Sequence, residues 1–213
     1  MRVKVCGVRN EADLKAAVRA GADAVGLLVG QIYASTDFIL PSTAARLAAL
    51  LPPYVTPVIV THLSEPDAIF EILMQVGATT VQLHGGCSID QVARLRELMP
   101  ASSKLILAVH VGEDSHTPDF SDYLKLVNAI LLDTRDNATD RVGGTGLTHN
   151  WEHSAAIVKS CPIPVILAGG LNPSNVAEAI RTVRPFAVDA NSGLKAPDGS
   201  RSPELCRSFV HSS

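Results

Sequence analysis

Aromatic residues make up only 4% of this 213-residue chain, although 46% of it is hydrophobic. The core must therefore be aliphatic, rich in Val, Ile, Leu and Ala, as parallel sheets covered by helices are, and an antiparallel sandwich is disfavoured. Basic excess is missing too. With 18 Lys and Arg against 21 Asp and Glu, the formal net charge is −3. That excludes the positive footprint needed to hold phosphate backbones, so no nucleic acid partner is expected. No apolar run approaches the roughly 18 residues of a spanning helix, and Met1-Arg2-Val3-Lys4-Val5 opens no signal-type apolar region. The expectation is a soluble cytoplasmic protein without a membrane partner. The four cysteines, Cys6, Cys87, Cys161 and Cys206, form no C-x-x-C pair, which argues against a zinc knuckle or a disulfide framework. They read as free thiols, and the last three as small buried hydrophobes. A Gly-x-Gly-x-x-Gly turn after the first strand is also lacking, which removes the main support for a dinucleotide site.

What the chain does have is alternation. Short β-branched runs, at Arg2 to Cys6, Ala24 to Val29, Pro57 to Thr61, Thr80 to Leu83, Lys104 to Val111, Ala129 to Asp133, Val165 to Ala168 and Ala187 to Asp189, are separated by Ala/Leu-rich stretches with helical spacing. Leu14, Ala17 and Val18 show that spacing early, and Val176, Ala179 and Ile180 late. Helix starts are signalled by Asn10, Ser42 after Pro41, Ser64 before Glu65-Pro66-Asp67, Ser88 before Asp90, and Asn172 before Pro173. Eight strand-helix units with no linker or low-complexity segment predict an α/β fold, a single-domain (β/α)8 TIM barrel with eight parallel strands over residues 1–213. A doubly wound open sheet is the alternative.

In such a barrel the chemistry sits at the C-terminal ends of the strands, so polar residues there are the candidates. Gly169-Gly170 after the seventh strand and Asn191-Ser192-Gly193 after the eighth occupy the barrel's usual phosphate position, where exposed backbone N–H groups can hold an anion. Ordinary strand-ending turns are the competing reading. By period two, Lys4 and Cys6 share one face of the first strand and point inward, Cys6 nearer the rim. A thiolate there could serve as a base, and a thiol in aliphatic surroundings would be inert. Asp133 ends the apolar run Ala129-Ile130-Leu131-Leu132, where a carboxylate needs a partner or a task. It is either an acid with a raised pKa or a loop-ordering residue helped by Thr134. A structural role is favoured for Asp189. Gln82 and His84, with His62 and His110, stand near other strand ends as possible site-lining residues, without metal-ligand spacing in the sequence.

The ordered segments Lys4-Val5-Cys6-Gly7-Val8, Gly21-Ala22-Asp23-Ala24-Val25-Gly26, Val81-Gln82-Leu83-His84-Gly85, Leu131-Leu132-Asp133-Thr134, Gly143-Gly144-Thr145-Gly146, Leu167-Ala168-Gly169-Gly170-Leu171 and Val188-Asp189-Ala190-Asn191-Ser192-Gly193 resemble successive blocks of the phosphoribosylanthranilate isomerase family across nearly the whole chain. That resemblance implies Cys6 as general base and Asp133 as general acid in an Amadori rearrangement, with a small phosphorylated sugar as substrate. It implies that Gly169, Gly170, Ser192 and Gly193 hold its phosphate, and that neither a metal nor an organic cofactor is needed. A monomer or homodimer is expected. One departure stands out. Where the family usually has Ser-Pro-Arg-Tyr after strand two, this chain reads Ser35-Thr36-Asp37-Phe38, which removes a cation from the anthranilate end of the substrate. Asp37 is thus expected to repel anthranilate, with Arg2, Arg9, Arg135 or Arg141 as substitute cations. Leu107 stands where a lysine often precedes Ala108, and Asn191 and Lys195 replace residues more often Ser and Glu. Three functions follow as alternatives: the family's isomerisation, isomerisation of another aminated phosphosugar, or phosphosugar binding without turnover. A Schiff-base aldolase lacks a lysine at the end of a middle strand.

Overall fold

The computed structural model describes residues 1–32, 35–112, 117–136, 141–142 and 150–213, with the side chains of 135, 136, 141 and 142 left aside. The Gly143-Gly144-Thr145-Gly146 block lies outside the described residues. Eight strands run in chain order: β1 Arg2–Val5, β2 Ala24–Leu28, β3 Thr56–Thr61, β4 Thr80–Leu83, β5 Lys104–Val111, β6 Ala129–Asp136, β7 Val165–Leu167 and β8 Ala187–Ala190. Each pairs in parallel with the next, and β8 returns to β1 through Lys4↔Asp189 and Val5↔Ala190. The sheet is a closed parallel barrel, which settles the choice against an open sheet. A two-residue strand, Arg141–Val142, pairs antiparallel with the end of β6.

Seven α-helices wrap it among the described residues: α1 Glu11–Ala20, α2 Pro41–Ala49, α3 Pro66–Val76, α4 Ile89–Leu98, α5 Trp151–Ser160, α6 Val176–Val183 and α7 Pro203–Ser212. After β5 the fifth position holds a short 3₁₀ turn, Ser121–Lys125, instead of a helix. Asn10 and Ser88 cap α1 and α4 as expected, Ser88 in a reciprocal capping box with Gln91. Three start signals are shifted. Leu40 and Glu65 precede α2 and α3 without a side-chain cap, and Pro41 and Pro66 open the two helices, because a proline there loses no hydrogen bond. Asn172 caps no helix; its side chain accepts from the Ser174 N–H at 2.8 Å and orders the turn ahead of α6.

Period-two alternation divides the apolar residues into two layers. Leu105, Leu107 and Val109 of β5 pack outward against the helices, whereas Ile106 and Ala108 point into the barrel with Val58, Val60, Leu131 and Ile166. The same alternation sends Lys4 and Cys6 inward from β1 while Val3 and Val5 face the helices. Full apolar burial on this scale contributes about 1.5–3 kcal/mol per large side chain, enough to hold several buried polar groups in the barrel's centre.

Candidate active site

The inward face at the C-terminal end of the barrel carries a continuous run of polar groups. Strand register sets Lys4 beside Asp189, and the Lys4 ammonium, 4% exposed, donates to Asp189 Oδ2 at 2.7 Å and to Gln82 Oε1 at 2.9 Å. Gln82 Nε2 lies 3.1 Å from His84 Nδ1, and His84 Nε2 lies 3.3 Å from Asp133 Oδ2. The other Asp133 oxygen accepts the Thr134 N–H at 2.8 Å. Cys6 caps the same face, and Gly26 of β2 makes room for it: a Cβ added there would stand 2.5 Å from Cys6 Sγ. Nothing in the sequence pattern marked Gly26 as part of the site.

Protonation in this cavity follows from burial and charge. Burial pushes the Cys6 thiol up to about 11; the Lys4 ammonium opposes the rise and the Asp189 charge reinforces it. Burial also drives the Lys4 ammonium toward its neutral form, but the Asp189 and Cys6 charges win and its pKa is raised. For Asp133, burial acts upward, yet the His84 hydrogen bond, the His84 and His110 charges and the Thr134 N–H together lower it. Of the two readings of Asp133 that the sequence left open, a raised pKa is not what its surroundings produce, because its partners outweigh its desolvation. His62 is lowered to about 4 by burial, then by the charges of His84 and His110.

Histidines from three neighbouring strand ends meet here, with ring centroids 5.1 Å apart for both His62–His84 and His84–His110. Nitrogens of His84 and His110 and an oxygen of Asp133 all fall within 4.8 Å of one another. Sequence spacing shows no such cluster, because the residues come together only through the β4, β5 and β6 register.

Asp37 lies at the wall of this cavity and is buried. Both of its oxygens accept from Lys195 Nζ at 2.6 Å, and Asn191 Nδ2 donates to Oδ2 at 2.8 Å. A bare anion repelling substrate is thus not what the fold presents. Of the proposed substitute cations, Arg2 stacks 4.4 Å over the Phe186 ring at the opposite barrel end, and Arg9 is held by Asp13 and the Gly199 carbonyl. The side chains of Arg135 and Arg141 lie outside the described residues. Lys195 is the cation that sequence reasoning missed. Arg201, also missed, is buried and donates to the Cys6, Gly7 and Asn191 carbonyls and to Asn191 Oδ1, clasping the ends of β1 and β8.

Gly169, Gly170, Asn191 and Ser192 line the cavity from the β7 and β8 loops. Gly169 has φ +82°, and an added Cβ would meet Thr134 Oγ1 at 2.1 Å and Thr134 N at 2.6 Å. At Gly193 the obstruction is the Leu171 carbonyl oxygen, 2.2 Å away. These two glycines allow close approach of neighbouring loops, a packing reason distinct from the ligand clearance inferred from sequence.

A family model described as N-(5′-phosphoribosyl)anthranilate isomerase matches residues 3–212. The chain belongs to the phosphoribosylanthranilate isomerase family. It is 44% identical over 211 residues to N-(5′-phosphoribosyl)anthranilate isomerase 2 of Methanosarcina mazei, covering 99% of this chain and 93% of that one. The corresponding isomerase of Natronomonas pharaonis is 41% identical, with 98% and 96% covered. Among solved structures, phosphoribosylanthranilate isomerase from Thermotoga maritima superposes with a TM-score of 0.83 at 33% identity, covering 100% of this chain and 98% of that one. A structure of the isomerase in complex with reduced 1-(o-carboxyphenylamino)-1-deoxyribulose 5-phosphate gives 0.79 at 32% identity, with 100% and 97% covered. Against the phosphoribosylanthranilate isomerase pattern, the two departures Asp37 and Lys195 prove to be one feature, since they are partners in a single ion pair.

Proposed function

We propose that this chain catalyses the Amadori rearrangement of N-(5′-phosphoribosyl)anthranilate to the 1-deoxyribulose phosphate product in tryptophan biosynthesis, as one barrel domain, with Cys6 as base and Asp133 as acid. The observation that carries the reading is the presence of Cys6 and Asp133 on one cavity with the two glycine loops. In the forward step Asp133 gives its proton to the ring oxygen, the C1–O bond breaks, and the amine lone pair closes the C1=N bond of a Schiff base. Cys6 thiolate then takes the C2 proton; the C2–H pair forms C1=C2 and the C=N pair returns to nitrogen. The enolamine becomes the ketone when its O–H proton leaves and C1 gains one. Backbone N–H groups of Gly169, Gly170, Ser192 and Gly193 hold the phosphate, and the Asp37–Lys195 ion pair stands at the wall where the anthranilate end of the substrate lies. Gln82, His84, Asp189 and Asn191 support these groups.

The test is the loss of fluorescence of freshly generated phosphoribosylanthranilate. Wild type should consume it, and Cys6→Ala or Asp133→Asn should each lose about 10²–10⁴-fold in kcat. An inert wild type with a normally folded barrel would sink the assignment. The Asp37–Lys195 exchange favours a second reading, another aminated phosphosugar, which would then be the substrate class to screen.

A further inference from the structure

We propose that Lys4 acts as a positioning residue, through Gln82 and His84, that decides which imidazole nitrogen of His84 carries the proton and thereby sets the Nε2–H donor that His84 presents to Asp133. The inference deepens the isomerase reading and takes its catalytic meaning from it. An ammonium has donors and no acceptor, so the Gln82 atom 2.9 Å from Lys4 Nζ is the carbonyl oxygen Oε1. The amide's other end, Nε2, has only donors, and it faces His84 Nδ1 at 3.1 Å. Nδ1 is therefore the bare nitrogen. In neutral His84 the proton sits on Nε2, directed at Asp133 Oδ2 3.3 Å away.

Turning the Gln82 amide over would set its NH₂ against the ammonium, so the orientation is locked from the Lys4 end. Lys4 is itself fixed by Asp189, which it meets at 2.7 Å. Asp133 thus receives one donor from His84 and a second from the Thr134 N–H on its other oxygen. Other groups facing His84 are His62, just past the end of β3, and His110 on β5, both in edge contact with its ring. With its Nε2 proton aimed at Asp133, His84 offers no lone pair there, so His84, His110 and Asp133 do not make a cation site in this tautomer.

The measurement is ¹⁵N NMR of the His84 ring in the ligand-free protein at a pH where it is neutral, together with a ¹³C titration of the Asp133 carboxyl. Wild type should show Nε2 protonated and Nδ1 bare. Gln82→Glu places an acceptor against Nδ1, so Nδ1 should gain a proton. Between two carboxylates the ring of that variant becomes a cation, and the Asp133 carboxyl should then titrate at lower pH than in wild type. Lys4→Met combined with Asp189→Asn removes the buried pair as a unit and frees the amide to turn; His84 should then show both tautomers and Asp133 should titrate higher. A wild-type ring protonated at Nδ1 and bare at Nε2 overturns the proposal. So does a tautomer that shifts in the variants while the Asp133 titration stays put. Neither readout depends on turnover, so a wild type inactive on phosphoribosylanthranilate would remove the isomerase reading while these results still decide the tautomer.

Discussion

Asp133 is held low and Cys6 is lifted to about 11, so in the ligand-free protein the proton rests on the thiol and the carboxylate is bare. The proposed forward step needs the reverse arrangement. The reactive form, with Asp133 protonated and Cys6 ionised, is then a small and constant fraction everywhere between the two pKa values. kcat/KM should accordingly be flat through neutrality, falling below the ordinary carboxylate range and again toward a pH of about 11. A narrow bell centred near neutrality would show that the two pKa values lie close together rather than far apart. At the cavity wall, Lys195→Met strips Asp37 of its cation while the carboxylate stays buried. Denaturant unfolding should register a loss of about 3 kcal/mol, the usual consequence of breaking a buried pair from one side. Asp37→Arg alone would oppose two cations and should be at least as damaging. Asp37→Arg with Lys195→Glu restores an ion pair of opposite polarity, and unfolding midpoints near wild type would show that the pair acts as a unit.

At the scale of the strand, β1 and β2 share a tight contact. Gly26→Ala would drive a methyl into Cys6, and overpacking of this kind costs about 1–3 kcal/mol. The expected outcome is a lowered unfolding midpoint with a fall in kcat larger than the change in KM, because the displaced group is the proposed base. Unchanged kinetics would mean that Cys6 is not the base. Much of this arrangement was readable in the sequence. Inward-facing Lys4 and Cys6 follow from period two alone, and Asp133 from the apolar run before it. Partners across the barrel were not readable. Lys195 lies 158 residues from Asp37, and Lys4 lies 185 from Asp189, so only barrel closure says that they touch. The shifted starts of α2, α3 and α6 reflect competition between local cap signals and tertiary packing. Proline at the first helical position prevailed in two cases, and an ordered turn at Asn172 in the third.

For the molecule as a whole, burial of thiols ties stability to alkaline pH. Cys6 and Cys87 both rise from 9.0 to about 11, chiefly through desolvation. Between those values the unfolded chain has lost thiol protons that the folded chain keeps, so stability is full below pH 9.0 and declines as the pH rises toward 11. Denaturation free energies measured across that interval should fall in wild type and fall less steeply in Cys6→Ala; equal slopes would mean that the thiol ionises freely in the folded state. The closure of β8 on β1 bears on how the protein is made. Lys4 is synthesised 185 residues before Asp189, and Cys6 195 residues before Arg201, whose side chain clasps its strand end. Strands β2 to β7 can pair as they emerge, but the polar centre of the barrel stays open until β8 has been made. Lys4 must spend that interval without its counter-ion, and β8 with the loop that follows it completes both the barrel wall and the chemistry it encloses.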